Sequence, residues 1–314
     1  MIIDLKEYIP NKIIPRIGKL KSLKVSENNN KLILRAKDCR KVITLNRFTN
    51  LSNEDFIAIG IYFAEGQRRI NLNKQIHHSG EIAISNGDLK CLQIFCNLME
   101  KLGIKRTEFK VYAGLNINLK EKISQREVLD YWLSSLNLTK ACLRPNYNFT
   151  FTGTKNKKVP TCTGFYGCLN MAYASVIFRS FFLYFINKIF IDCINAKNKQ
   201  YISLILKGFF AGDGHVEYSY KPRRKGLYFC NKDDKFISLL VKSLELLGIN
   251  SYFITDPNKT KTNSKSLVVA KYSYMKILID YKITDLINYK KEKARELINS
   301  YKIINGKFSN NLRV

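Results

Sequence analysis

Apolar positions in this chain recur with two periods, and each period returns in a second copy. Ala58-Ile59-Gly60-Ile61-Tyr62-Phe63-Ala64-Glu65-Gly66 and Leu206-Lys207-Gly208-Phe209-Phe210-Ala211-Gly212-Asp213-Gly214 are largely apolar runs that close on an acid and a glycine. They predict two helices, each with small residues four positions apart: Gly60 and Ala64, then Gly208 and Gly212. Ridges of small residues let two helix backbones approach closely. Packed on each other, these helices would bring Glu65 and Asp213 together at one end, so that one chain builds a metal site from two halves. Leu51-Ser52-Asn53-Glu54 opens the first helix, with Ser52 or Asn53 as its cap.

Strand-like alternation follows each helix. Arg68 to Asn73 with Glu81 to Ser85, and His215 to Tyr220 with Gly226 to Cys230, predict hairpins. Gly66 and Gly214 are expected in the left-handed conformation at the helix ends. Asn86 and Asn231 then read as N-caps of a second helix, with Asp88 and Asp233 in the first turn. Those helices stop at Leu102-Gly103-Ile104 and Leu247-Gly248-Ile249. Strands follow, with Leu169 to Ser175 aligned on Leu267 to Ser273.

Each half therefore reads helix, hairpin, helix, strands, helix, an α+β arrangement repeated along one chain. The expected division is a β-rich extension over residues 1–50, a first half over 51–198 and a second over 199–314. The extension contains the runs Lys31 to Arg35 and Val42 to Leu45. The first half carries an insertion at about 105–166, with a helix from Gln125 to Leu138 and a basic loop at 154–158. The apolar run from Ala174 to Ile194 is broken by Arg179 and Lys188, which predicts an amphipathic or buried helix rather than a membrane span.

Charge narrows the function. Lys and Arg number 53 against 25 Asp and Glu, a net charge of +28 over 314 residues. A field this positive attracts polyanions, nucleic acid first, and does not suit an enzyme of small molecules. The eight cysteines include no C-x-x-C pair, and the sequence opens without a signal peptide. Reduced thiols and an intracellular location, cytoplasm or organelle matrix, are expected. His77, His78 and His215 are too dispersed to make a metal cluster.

The paired motifs, their terminal acids, the hairpins behind them and the repeated N-x-D and L-G-I segments resemble the LAGLIDADG homing endonucleases of the single-chain, two-motif class. The likeness runs from about Asn53 to Tyr301; Glu65 departs from it by standing where the pattern has Asp. The resemblance implies two pseudo-symmetric αββαββα-like halves, motif helices packed at the interface, and an antiparallel β saddle for DNA. It implies site-specific hydrolysis of double-stranded DNA at a long non-palindromic site by a monomer. Glu65 and Asp213 are hard oxygen ligands suited to Mg2+, with Mn2+ able to substitute, and the carbonyls of Ala64 and Gly212 could add donors. Lysines near the start of each last helix are implied to support the site, here Lys199 and Lys291. Base reading falls to the hairpins: Gln67, Arg68, Arg69, Asn71 and Asn73 in the first half, and His215, Glu217, Tyr218, Tyr220, Arg223 and Arg224 in the second. Two further readings use the same scaffold: a maturase that binds its own intron RNA, and a nuclease-dead DNA-binding regulator.

Overall fold

The computed structural model describes residues 1–13, 20–66, 80–152, 164–219, 224–254, 265–304 and 307–310. They form an α+β fold of two compact units. One comprises Met1–Asp55 and Glu65–Lys188, the other Phe56–Ala64 and Ile189–Val314. The N-terminal strands thus join the first unit, and most of the first motif helix joins the second.

The first unit begins with β1 (Ile2–Asp4), β2 (Lys12–Ile13), β3 (Lys21–Asn28), β4 (Lys31–Ala36), β5 (Ile43–Asn46) and β6 (Phe48–Asn50). β1 pairs with β6, and β2-β3-β4-β5 form an antiparallel sheet in that order. Asn29 and Asn30, both at positive φ, make the two-residue turn between β3 and β4, which Asn tolerates well. Leu32, Leu34, Ile43 and Leu45 bury one face of this sheet.

The chain continues with α1 (Asn53–Glu65), β7 (Glu81–Asn86), α2 (Leu89–Lys101), β8 (Lys110–Asn116), α3 (Gln125–Ser135), β9 (Phe149–Thr152), β10 (Cys168–Ala174) and α4 (Val176–Asn195), with Phe56–Ala64 of α1 and the end of α4 from Ile189 in the second unit. The sheet order is β7-β10-β8-β9, with only the β8–β9 pair parallel. Its buried face carries Ile82, Ile84, Val111 and Met171, and α2 buries Leu92, Phe95, Leu98 and Met99. Arg179 is buried in α4. No described helix is long and apolar enough to cross a membrane.

The second unit is built from α5 (Lys199–Asp213), β11 (Gly214–Ser219), β12 (Arg224–Asn231), α6 (Asp234–Leu246), β13 (Tyr252–Ile254), β14 (Lys265–Val269), α7 (Tyr272–Asp280), α8 (Asn288–Asn299), β15 (Tyr301–Ile304) and β16 (Lys307–Asn310). Its main sheet is antiparallel, β11-β12-β14-β13.

The repeat is visible in strand register. Gly66 bridges Ile84, two residues before Asn86, and Gly214 pairs with Phe229, two residues before Asn231. The next strand differs from the expected alignment by two positions: Met171 opposes Ile84 and Leu267 opposes Phe229, so Met171 is the partner of Leu267. A shift of two keeps the same side chains on the same face, which is why the hydrophobic pattern did not reveal it.

Three local expectations are corrected. The N-caps are Asp88 and Asp233, whose carboxylates accept from Cys91 N and from Lys235 and Phe236 N. Asn86 and Asn231 end the preceding strands and turn the chain by accepting from Asp88 N and Asp233 N. Gly214 is extended at φ −81° and opens β11, and a methyl group there would overlap the Phe210 ring. Left-handed glycines at helix ends are instead Gly103 and Gly248, at φ 86° and 79°, where the second helix of each half stops, and Gly80 and Gly167 also have positive φ. Finally, α3 ends at Ser135 rather than Leu138, because Asn137 adopts φ 51°.

The predicted ridge contact is present inside the second unit. A Cβ on Gly60 would overlap the Ile205 carbonyl and reach Phe209 N at 2.8 Å. A Cβ on Gly208 would overlap the Ile57 carbonyl and reach Ile61 N at 2.9 Å. Phe56 stacks on Tyr201 at 4.1 Å near the start of each helix, so the two run in the same direction through the contact.

Candidate active site

The end of α5 is held from two directions. Asn231 at the end of β12 is buried, and its Nδ2 donates to Asp213 Oδ2 at 3.3 Å. The same side chain's oxygen accepts from Lys232 N and Asp233 N, which fixes the amide's orientation. From α8, the buried Lys290 ammonium donates to the carbonyls of Phe210, Ala211 and Gly212 at 2.9, 2.6 and 2.9 Å. These are the carbonyls a helix leaves without partners at its C-terminus. The cation also offsets the negative end of the helix dipole, beside which an acid would otherwise be disfavoured.

Lys290 is a residue that sequence reasoning missed by one position. Lys291 lies on another side of α8, 4.0 Å from Asp285. Lys290 falls on the buried stripe Ile287, Lys290, Ala294 and Leu297, whose spacing is that of a core-facing helix edge. A lysine on such a stripe was the available signal. Lys199 is also corrected: it is the first residue of α5 and Asp213 the last, so the helix separates them by about 20 Å. The Gly212 carbonyl already accepts from an ammonium, which opposes a second cation there. The donor offered by this helix end is the half-buried Asp213 carboxylate.

In the first unit, Glu65 and Gly66 line a groove of about 360 Å3 together with Glu81, Ser85, Tyr112, Arg144 and Asn170. Three strands supply this surface in register: Ser85 opposes Asn170, and Asn170 opposes Tyr112. Arg144 enters from the segment after Lys140–Cys142, whose backbone follows β8 through Arg144 N to Val111 O. Its guanidinium donates to Glu81 at 3.4 Å and lies over the Tyr112 ring at 5.3 Å. Its Nε is buried with no hydrogen-bond partner among the described residues. The groove thus holds a motif acid and an oriented cation. Arg144 belongs to the insertion and was not among the expected site residues.

The second sheet sorts the expected base readers by strand alternation. His215 opposes and stacks on Tyr228 at 4.5 Å, and Glu217 opposes Gly226, so both stand on one face. Cys230 lies on that face, its Sγ 3.7 Å from His215 Nδ1. Tyr218 alternates to the other face. There it opposes Lys225, whose ammonium lies over the Tyr218 and Tyr301 rings and donates to Ser300 Oγ at 2.7 Å. Burial lowers the Lys225 pKa. Tyr218 therefore leaves the base-reading set for a packing role. Arg224 opens β12, while Gln67, Arg68, Arg69, Asn71, Asn73, Tyr220, Arg223 and the basic loop at 154–158 lie outside the described residues.

Among the described residues no three His, Cys, Asp or Glu side chains converge as a metal cluster. Mg2+ does not require one, since one or two carboxylates suffice when phosphate oxygens and water complete its octahedron.

Comparison with known proteins identifies residues 200–300 as a LAGLIDADG-like domain. The match contains the second motif and all the elements from α5 to α8. No curated protein matches the sequence. Among solved structures, the chain is similar to I-DmoI in complex with DNA and Mn, at 12% identity over 76% of this chain and 100% of that one, with a TM-score of 0.38. It is also similar to full-length DUF199/WhiA from Thermatoga maritima, at 15% identity over 81% of this chain and 63% of that one, with a TM-score of 0.42. These likenesses are too distant to carry an argument about this chain's chemistry.

Proposed function

We propose that this chain, which carries a LAGLIDADG-like domain over residues 200–300, is a site-specific, divalent-metal-dependent endonuclease of double-stranded DNA. The observation that carries this reading is the interlocked helix pair. Gly60 and Gly208 admit close backbone contact, the helices run in one direction, and their last residues are Glu65 and Asp213. A carboxylate at the C-terminal end of a helix meets an unfavourable dipole, and a divalent cation bound there removes that penalty.

Glu65 and Asp213 are the residues that would hold the ion. Mg2+, or Mn2+ in its place, supplies Lewis-acid stabilisation for phosphodiester hydrolysis. Asn231 acts as a positioning residue by fixing the Asp213 carboxylate through its amide. Lys290 spends its three N–H donors on backbone and so positions the helix end rather than touching substrate. His215 and Glu217 on the second sheet, and Arg144, Ser85 and Asn170 in the first groove, are the side chains placed to meet DNA. The +28 net charge supports a polyanionic partner.

The test is cleavage of a randomised duplex library with Mg2+, followed by sequencing of the new ends. The wild-type chain should give discrete cuts. Glu65→Gln and Asp213→Asn should each lower cleavage by on the order of 10²–10³-fold, with duplex binding retained. Salt-sensitive binding without cuts would instead favour the maturase or regulator reading, and selective capture of a structured intron RNA would separate those two.

A further inference from the structure

The N-terminal sheet has an outward face that the proposed site does not use. Register fixes its membership. Leu23, Val25 and Glu27 oppose Ala36, Leu34 and Leu32 on the core side, so Lys24 and Ser26 stand on the other side with Arg35, Ile33 and Lys31. Thr44 and Asn46 continue this face on β5, and Lys12 joins it on β2. Lys24, Lys31 and Arg35 are exposed.

The charges of this module are sorted. Residues 1–50 carry twelve Lys and Arg against four Asp and Glu. Asp4 and Glu27 bind Arg47 at 2.8 and 2.6 Å, Glu27 also meets Lys6 at 3.5 Å, and Asp38 binds Lys21 at 3.0 Å. None of these acids lies on the outward face. Lys24 and Arg35 are direct cross-strand partners there, and neither has an acidic partner among the described residues. Like charges placed directly opposite each other destabilise a strand pair. The module therefore keeps a repulsive pair on a surface of Lys, Arg, Ser, Thr, Asn and Ile33 side chains, while Asp4, Glu27 and Asp38 neutralise cations elsewhere.

We propose that this face is a second nucleic-acid contact, which binds the phosphate backbone of duplex DNA outside the cleavage site. Cations with hydroxyls and amides are the groups that hold phosphate oxygens. The face presents no aromatic ring, so it lacks the stacking platform that readers of single strands use. The contact is independent of catalysis and stands whether or not the chain cuts DNA.

The experiment is fluorescence anisotropy of the full chain with a duplex of about 40 base pairs and arbitrary sequence, titrated without divalent metal over a range of salt. The triple variant Lys24→Gln, Lys31→Gln, Arg35→Gln should bind about tenfold more weakly near 100 mM salt, and the slope of log affinity against log salt should shrink by about 3. A control triple on exposed lysines of the second unit, Lys242→Gln, Lys276→Gln and Lys293→Gln, changes net charge equally and should shift both quantities far less. Ser26→Glu with Thr44→Glu, which removes no cation, should weaken binding in the same direction as the first triple. Equal losses in the two triples, or none in the first, would overturn the proposal. A larger loss for single-stranded RNA of matched length than for the duplex would overturn the assignment to DNA. Cleavage that persists while this binding effect is absent would sink the contact and leave the nuclease reading intact.

Discussion

The ends of the two motif helices share a sequence pattern and a strand register but are furnished differently. At Asp213 the surroundings are closed. A buried asparagine fixes the carboxylate, and a buried lysine takes up the last carbonyls. At Glu65 they are open, a groove lined by Arg144, Glu81 and Tyr112. The repeat therefore preserves where each acid stands, through Gly66 with Ile84 and Gly214 with Phe229. The cation near each acid comes from unrelated places, from α8 in one half and from the inserted segment in the other. Backbone register is the symmetric part of this molecule and charge management the asymmetric part.

The largest effect expected is the one that should not distinguish the halves. Gly60→Ala and Gly208→Ala each drive a methyl group into a backbone carbonyl of the facing helix, with no flexible side chain to yield. Each should cost about 3 kcal/mol or more in urea unfolding. A loss at one glycine with none at the other would break the reciprocal packing described here. Ala64→Gly, which lies on the same predicted ridge, should cost about 1 kcal/mol through helix propensity alone.

The next comparison separates neighbours on one helix. Lys290→Met leaves three helix-end carbonyls unsatisfied in a buried place and should cost about 3 kcal/mol. Lys291→Met, at a partly exposed ion pair, should change stability by less than about 0.5 kcal/mol. Equal effects of the two substitutions in chemical denaturation would refute the assignment. Under the proposed function, any cleavage left in Lys290→Met should keep the wild-type dependence on Mg2+ concentration, because on that reading the lysine holds the helix and the carboxylates hold the ion.

Much of this was legible in the chain. The motif helices, the L-G-I stops and the small-residue ridge follow from local periodicity and from glycines that only one geometry explains. What escaped depended on long-range partners. Lys290 looks like any surface lysine until its stripe with Ile287, Ala294 and Leu297 is noticed. Asn231 reads as a cap, since its contact with Asp213 spans the hairpin. Arg144 lies in an insertion without periodicity, and its place beside β8 is set by a parallel pairing that sequence alternation does not specify. The two-position shift of β10 against β14 left every apolar residue on its proper face and so carried no signal at all.

Arg144→Gln bears on the open end of the comparison. The guanidinium is partly exposed and holds Glu81 and the face of Tyr112, so folding should change little. Duplex binding should weaken by about tenfold, and loss of one cation should lower the salt slope by about 1. An unchanged affinity would make Arg144 a structural partner of Glu81 and Tyr112, and the two helix ends would then differ in packing alone.

The smallest effect sets an exposed charge network against the buried one. Arg47 donates to Asp4 and Glu27 and holds both carboxyls below their ordinary values of 3.8 and 4.5. A depressed carboxyl stabilises the fold above its unfolded pKa and loses that contribution as pH falls through the folded value. The window is therefore acidic, below about pH 4.5. Arg47→Gln should leave stability near neutrality almost unchanged, because solvent screens these pairs. It should make the decline below pH 4.5 shallower, since the carboxyls then titrate near their ordinary values in both states. The buried lysine behaves otherwise. Its ammonium holds three helix-end carbonyls, so Lys290→Met should lower stability near neutrality, where Arg47→Gln does not. Parallel acid limbs for wild type and Arg47→Gln would show that the surface network contributes nothing to folding, and would leave the buried cation at α5 as the charge that matters.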